Sequence, residues 1–482
     1  MLELIKRFLE GHRRRRNRIV RFLFVSFVAL GVYGYLYTGD RSFATQYPVP
    51  EHWKSSYTKS PYFDKEVFIV QSGMQHDRTV LLVHGLGHNA SKDWLNVIPA
   101  LEKQFHVIAL DLPGFGRSHA ENGSFTPGNY ARLLHQIRSD YGKEETIIVG
   151  HSMGGAITLR YAADFSDDIT KVVLVDVAGV LERTAYVKHI ADIPFKVDDA
   201  PDFLKRLTTG FENFSTAIIE WVNLLPDPVN VIHVVNTYWN DSGLNASQAN
   251  IAMEMIREDY SKVLRNVSHP TYILWGEQDR VAPLRTAKVL TKRLPNAALH
   301  TFADAGHVPM TSHPKLFNEA LLSALSDVPT AVDEGESNQN HYGSLNCSGE
   351  TGTVYSGIYD EIIIEQSKAV KFIDVKANRI VVRNSTVEFE NLEVLSDTTA
   401  FEAISSVVLM TNATIAGSTS LHSEGSRIDM AGVSLKGQDA AVRISTKSRL
   451  IFSVSDLQSN HYLGHVHGDY RIKKSGIFDR SL

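Results

Sequence analysis

Cysteine is almost absent from this sequence: Cys347 stands alone among 482 residues. No intrachain disulfide can form, so stability must come from a core, which a chain of this size can bury without bridges. A strong overall charge is missing too. The formal net charge is −5, and basic clustering is confined to residues 1–21, where eight Lys and Arg face two Glu, a local +6 that leaves −11 for the rest. That cluster directly abuts an apolar segment, which sets it apart from a nucleic-acid footprint. Nor is the chain polar enough to be disordered, being 43% hydrophobic and 21% charged as globular proteins are. Its length points to two or three domains.

The apolar segment, Phe22 to Gly39, runs eighteen residues without a charge. As a helix at ~1.5 Å per residue it spans roughly 27 Å, enough for a bilayer core with its flanks. Tyr33, Tyr35 and Tyr37 sit near its C-terminal end, where amphipathic rings suit the interface. The expectation is a basic cytoplasmic tail (1–21) and a single-pass transmembrane signal anchor (22–39). By the positive-inside bias the remainder lies on the periplasmic or extracellular side. A cleaved signal peptide is the rival reading, but Ser42–Phe43–Ala44 follows the charges of Asp40 and Arg41 and is poorly placed for cleavage.

From about residue 65 to 327, short apolar runs alternate with amphipathic helical stretches, the pattern of an α/β sheet. Thr79–Val83, Val107–Leu110, Thr146–Val149, Val172–Val175 and Tyr272–Trp275 are rich in Val, Ile and Leu without alternation, as strands covered on both faces are. Leu316, Phe317, Ala320, Leu321 and Ala324 recur at helical spacing and would close a domain spanning 45–327. Between about 180 and 266 no parallel strand is evident, while Phe203, Leu207, Phe211, Ile218, Trp221 and Leu225 keep helical spacing. This interval reads as a helical cap inserted over the sheet. Residues 328–345 are polar and acidic, a linker. In 346–482 short β-rich pieces (Val370–Val375, Ile380–Arg383, Val407–Met410, Ile428–Met430, Leu450–Phe452) recur near every twenty residues, with Asn384–Ser385, Asn412 and Gly432 as turn residues. In texture this region is similar to parallel β-helix domains, with a β-sandwich as the alternative.

The strongest chemical signal is Gly150–His151–Ser152–Met153–Gly154–Gly155, placed after the strand Thr146–Val149 and before the helical Ala156–Ala163. A Gly-x-Ser-x-Gly turn in that context lifts a serine hydroxyl to the end of the sheet, at a helix N-terminus that favours developing negative charge. A serine nucleophile needs a base, and the base an orienting acid. Asp279, in the loop after Tyr272–Trp275, and His307, following Gly306 twenty-eight residues on, supply them in the required chain order. Glu277 and Asp176 are the competing acids. The oxyanion donors are the backbone N–H groups of Met153 and of Leu86 in His84–Gly85–Leu86–Gly87. Phe115, Phe211 and Trp221 are candidates for an apolar substrate pocket.

His84–Gly85–Leu86–Gly87 with Trp94, Asp111–Leu112–Pro113–Gly114–Phe115–Gly116–Arg117–Ser118, the serine turn, the Asp279 loop and Gly306–His307 stand in one order. Together they resemble the α/β-hydrolase superfamily, over roughly residues 60–327. The pattern is similar to membrane-anchored bacterial lipases and esterases related to dehalogenases and epoxide hydrolases. Those last two use an aspartate nucleophile, against which Ser152 stands. The resemblance implies a serine esterase that needs no metal and no organic cofactor, acting on a small hydrophobic ester, with Asp111 and Ser118 as structural turn residues. The same triad also serves thioester cleavage, carbon–carbon bond hydrolysis and acyl transfer. A surface binding protein, whose C-terminal β domain engages a glycan or protein partner, is the reading from another class.

Overall fold

The structure is a computed structural model that describes residues 48–63, 66–87, 90–118, 124–182, 254–255, 258–326, 340–460 and 462–479. The expected anchor at 22–39, and Phe211 and Trp221 with nearly all of the expected cap, lie outside the described residues. Among the described residues no helix is long and apolar enough to cross a membrane.

Eight strands form the first sheet: β1 (Lys54–Lys59), β2 (Glu66–Ser72), β3 (Arg78–Val83), β4 (His106–Leu110), β5 (Glu145–His151), β6 (Lys171–Val175), β7 (Thr271–Gly276) and β8 (Ala297–Phe302). Their order is β1-β2-β4-β3-β5-β6-β7-β8. The β1–β2 and β2–β4 pairs are antiparallel and the others parallel. The five apolar runs are five central strands. Helices α1 (Pro127–Tyr141), α2 (Met153–Asp164), α3 (Leu284–Arg293) and α4 (Pro314–Ser326) cover the faces. Each face carries its own buried cluster, one around Leu81, Ile108, Ile148 and Leu174, the other around Val80, Leu82, Val149 and Phe317. Helix α4 buries Phe317, Leu321, Ala324 and Leu325, whereas Leu316, expected on the buried face, is 55% exposed because it lies one position round from Phe317.

The C-terminal strands are β9 (Leu345–Ser348), β10 (Val354–Glu365), β11 (Lys368–Arg383), β12 (Thr386–Leu395), β13 (Thr399–Ile404), β14 (Val407–Glu424), β15 (Arg427–Ile444), β16 (Ser448–Gln458) and β17 (Leu463–Ile472). Among β9 to β16 themselves every pairing is parallel, which a sandwich of hairpins would not give. The chain coils as a solenoid. Lys368, Thr386, Val407, Arg427 and Arg449 stack as register partners, one per coil. Ile380–Arg383, one of the five expected pieces, lies on another face and pairs with β13, which explains the irregular spacing read from sequence. β17 closes the end by pairing antiparallel with β16. At the other end His341 already bridges Ile358, so the ladder reaches into the segment expected to be linker.

Two devices hold the coils together. Inside, Tyr355, Phe372 and Phe389 stack with ring centroids 5.2 and 5.0 Å apart. At one corner the hydroxyls of Ser385, Ser406, Ser426 and Ser448 each accept the backbone N–H of the serine one coil earlier, at 3.0 to 3.3 Å. Those buried amides would otherwise lack a partner at the turn.

Candidate active site

Loops at the C-terminal ends of β5, β7 and β8 converge, as strand ends of one parallel sheet allow. Ser152 leaves β5 with φ 52° and ψ −119°, a conformation few side chains adopt. Its N–H donates to Val175 O at 2.8 Å, and its carbonyl accepts from Gly155 N–H at 3.0 Å. A Cβ on Gly154 would stand 2.4 Å from Val83 O, and one on Gly150 2.3 Å from Thr158 Oγ1. The turn has no room for side chains at either position.

Ser152, His307 and Asp279, predicted from three separate motifs, come together. His307 Nε2 lies 2.9 Å from Ser152 Oγ, and His307 Nδ1 lies 2.7 Å from Asp279 Oδ2. Facing a carboxylate, Nδ1 carries the ring proton and donates it; Nε2 is left to accept the serine hydroxyl. The Asp279 side chain is fully buried and that of His307 is 16% exposed. The second carboxylate oxygen of Asp279 accepts the N–H groups of Val281 and Ala282, at 2.7 and 3.0 Å. Gln278 N–H donates to Ala305 O at 3.0 Å, tying the acid loop to the histidine loop.

The competing acids have other places. Glu277 accepts the Thr301 hydroxyl at 2.7 Å on the exposed side of the sheet. Asp176, at the end of β6 with φ 43°, accepts Gly276 N–H at 2.8 Å and lies beside Asp279. Burial first, and then the Asp279 charge, push the Asp176 carboxyl well above the usual carboxylate range. Protonated, it would donate to Asp279 in place of repelling it. Donor atoms of Asp176, Asp279 and His307 lie within 4.8 Å of one another, close enough to hold a cation, but one bound there would have to break the Asp279–His307 hydrogen bond.

Met153 is the first residue of α2, so its N–H has no acceptor within its own helix. Leu86 lies in the loop after β3, where a Cβ on neighbouring Gly85 would come 2.9 Å from Ser152 Cβ. Two residues of the motifs do more than expected. His151 donates from Nε2 to the His307 carbonyl at 2.8 Å and so fixes the main chain of the base. Burial, with His307 close by, lowers its pKa to about 3 and keeps it neutral. His84 accepts Leu112 N–H on Nε2 at 2.9 Å and donates from Nδ1 to Gly85 O at 2.7 Å, pinning the Leu86 loop to the 111–118 turn. In that turn Asp111 accepts Ser91 and Arg117 N–H, and Ser118 Oγ accepts Phe68 N–H. Phe115, expected to line the substrate pocket, is instead 1% exposed with its ring edge-on to His84. The tight turn draws it into the core as a prop for the loop.

A parallel-sheet hydrolase core with a strained serine turn and a converging base and acid defines the class, and comparison with known proteins agrees. Residues 78–314 match the model of the alpha/beta hydrolase fold family. This part of the chain belongs to the α/β-hydrolase superfamily, of the esterase and lipase type. It is similar to 2-hydroxy-6-oxo-6-(2'-aminophenyl)hexa-2,4-dienoic acid hydrolase of Metapseudomonas resinovorans, 29% identical over 51% of this chain and 83% of that protein. Lipase 1 of Psychrobacter immobilis is 28% identical over 51% of this chain and 76% of the lipase. Among solved structures, a thermophilic esterase from Thermogutta terrifontis matches with a TM-score of 0.42 at 22% identity, over 57% of this chain and all of that one.

Proposed function

We propose that this protein is a membrane-anchored serine hydrolase that cleaves carboxylic esters with hydrophobic, lipid-like acyl groups. The observation that carries the proposal is the unbroken relay from Ser152 Oγ to His307 Nε2 at 2.9 Å and from His307 Nδ1 to Asp279 Oδ2 at 2.7 Å. Ser152 attacks the acyl carbon while His307 takes its proton, and Asp279 stabilises the imidazolium. The Leu86 and Met153 amides hold the oxyanion. The C–O bond to the alcohol breaks, and the alcohol leaves with the proton from His307. Water then gives a proton to the same histidine, attacks the acyl-enzyme and releases the acid, returning the hydrogen to Ser152. No metal or organic cofactor enters these steps. The basic cluster and the uncharged run at 22–39 support the anchor, with the catalytic part on the non-cytoplasmic side.

A second reading has a specific observation behind it: the similarity to a carbon–carbon bond hydrolase that acts on a 2-hydroxy-6-oxo-dienoic acid. Turnover of p-nitrophenyl esters, from short to long acyl chains, by the full chain with Ser152→Ala as blank decides between them. Serine-dependent release that rises with chain length is the expected result. No release from any ester, with serine-dependent consumption of a 2-hydroxy-6-oxo-dienoic acid, would replace the ester reading by the second.

A further inference from the structure

The family match ends at residue 314 and leaves the solenoid without a role. Four consecutive coils touch the α/β part. Glu390, Thr411, Ala431 and Ser453 are register partners, one per coil. Glu390 pairs with Lys288, and Thr411 accepts from Arg285. Ala431 shares a buried cluster with Val289, and Ser453 Oγ accepts Glu182 N–H at 2.8 Å. Helix α3 lies along this ridge. Asn412 Nδ2 donates to Lys288 O at 2.9 Å, and a Cβ on Gly432 would come within 3.4 Å of Val289.

The densest of these contacts is at the start of α3. Arg285 donates from Nε to Thr411 Oγ1 at 2.8 Å, from Nη1 to Asp429 Oδ1 at 2.9 Å and from Nη2 to Met410 O at 2.5 Å. The Arg285 and Asp429 side chains are only 12% and 6% exposed. A planar guanidinium with its donors placed in this way has one orientation that satisfies them all. Through Pro283 the same turn runs directly back into Ala282 and Val281, whose N–H groups hold the Asp279 carboxylate.

We infer that the solenoid acts as a clamp on the catalytic-acid loop, with Arg285 the positioning residue that carries its hold to Asp279; this rests on Asp279 orienting His307 as proposed above. The acid loop is thus fixed at both ends, by β7 on one side and by the solenoid-seated turn of α3 on the other. A carboxylate displaced by a fraction of an ångström no longer aligns the base, although substrate binding is untouched. The far end of α3 provides a control. Arg293 also reaches the solenoid, through Asp456 at 2.7 Å, but eight residues and about 12 Å of helix separate it from Arg285.

The test compares Arg285→Ala with Arg293→Ala in the full chain by amide hydrogen exchange of residues 279–282 and by ester kinetics. Arg285→Ala is expected to speed exchange in that loop about tenfold and to lower kcat about tenfold or more, with KM within about twofold. Arg293→Ala should change neither. Arg285→Lys, which keeps the charge but not the fork, and Asp429→Asn, on the solenoid side, should move both readouts in the same direction by less. Loop exchange at the unaltered rate in Arg285→Ala, or equal acceleration in Arg293→Ala, would overturn the clamp. The exchange comparison reads the clamp even in a protein that turns over no ester.

Discussion

The α/β part and the solenoid use the same backbone device to different ends. Ser152 and Asp176 have positive φ at single strand ends, and each is matched to one chemical group. In the solenoid, Asp374, Asn391, Asn412, Gly432 and Val454 have positive φ in five successive coils, stacked as one corner. Gln366, Asn384, Ser405 and Gly425 form a second such corner just before the serine ladder. A strained residue that recurs at every coil is a folding requirement. One that occurs once, beside titratable groups, is a functional signal.

The sharpest way to break this comparison is at the acid pair. Asp279→Asn should lower kcat by ~10⁴-fold, because the wrong face of His307 is then protonated. Asp176→Asn should stay within about threefold, since a neutral amide can still donate to Asp279, while Asp176→Ala loses about tenfold. Steady-state kinetics of the three variants would contradict the assignment if Asp176→Asn fell as far as Asp279→Asn.

Acid should act on the two parts in sequence. His151 is neutral in the fold, at about 3 against ~6.5 unfolded. The unfolded chain therefore binds the extra proton, and stability, complete above pH ~6.5, falls by up to about 1.4 kcal/mol per pH unit below it. Glu390 behaves differently. Burial pushes its carboxyl up, but Lys288 and Lys371 outweigh that and hold it below the usual range. Its contribution is present above pH ~4.3 and is lost as pH falls through the folded value. Calorimetry should show the melting temperature dropping from about pH 6, and a shallower drop in His151→Asn. An unchanged slope in that variant would contradict the account.

The smallest effect lies at the repeated corner. Gly432→Ala must place a Cβ 2.6 Å from Asn412 Oδ1 at φ 67°, and should destabilise by about 1–3 kcal/mol while lowering kcat less than Arg285→Ala does. Denaturant unfolding and ester kinetics on one preparation check both halves of that expectation.

How much of this was legible depended on whether the signal was local. The five central strands were, because burial on both faces writes an apolar run. β1 and β8, edge strands with exposed positions, were not. Ser152, Asp279 and His307 each sat in a short motif that dictates its own turn. Asn384–Ser385, Asn412 and Gly432 were visible as turn residues, and the structure gives the reason in the stacked corners. His151 was in plain sight within the serine motif, but its hydrogen bond spans 156 residues to the His307 carbonyl. Arg285 and Asp429, 144 residues apart, carried no mark of each other at all.

The most direct test of the central claim is labelling of the full chain with an active-site-directed alkyl phosphonate, followed by peptide mass spectrometry. One adduct, on the peptide bearing Ser152, lost in Ser152→Ala and strongly slowed in a His307→Ala variant, is the predicted result. An unlabelled Ser152 in protein that still hydrolyses esters, or a label on another residue that tracks the activity, would contradict the account.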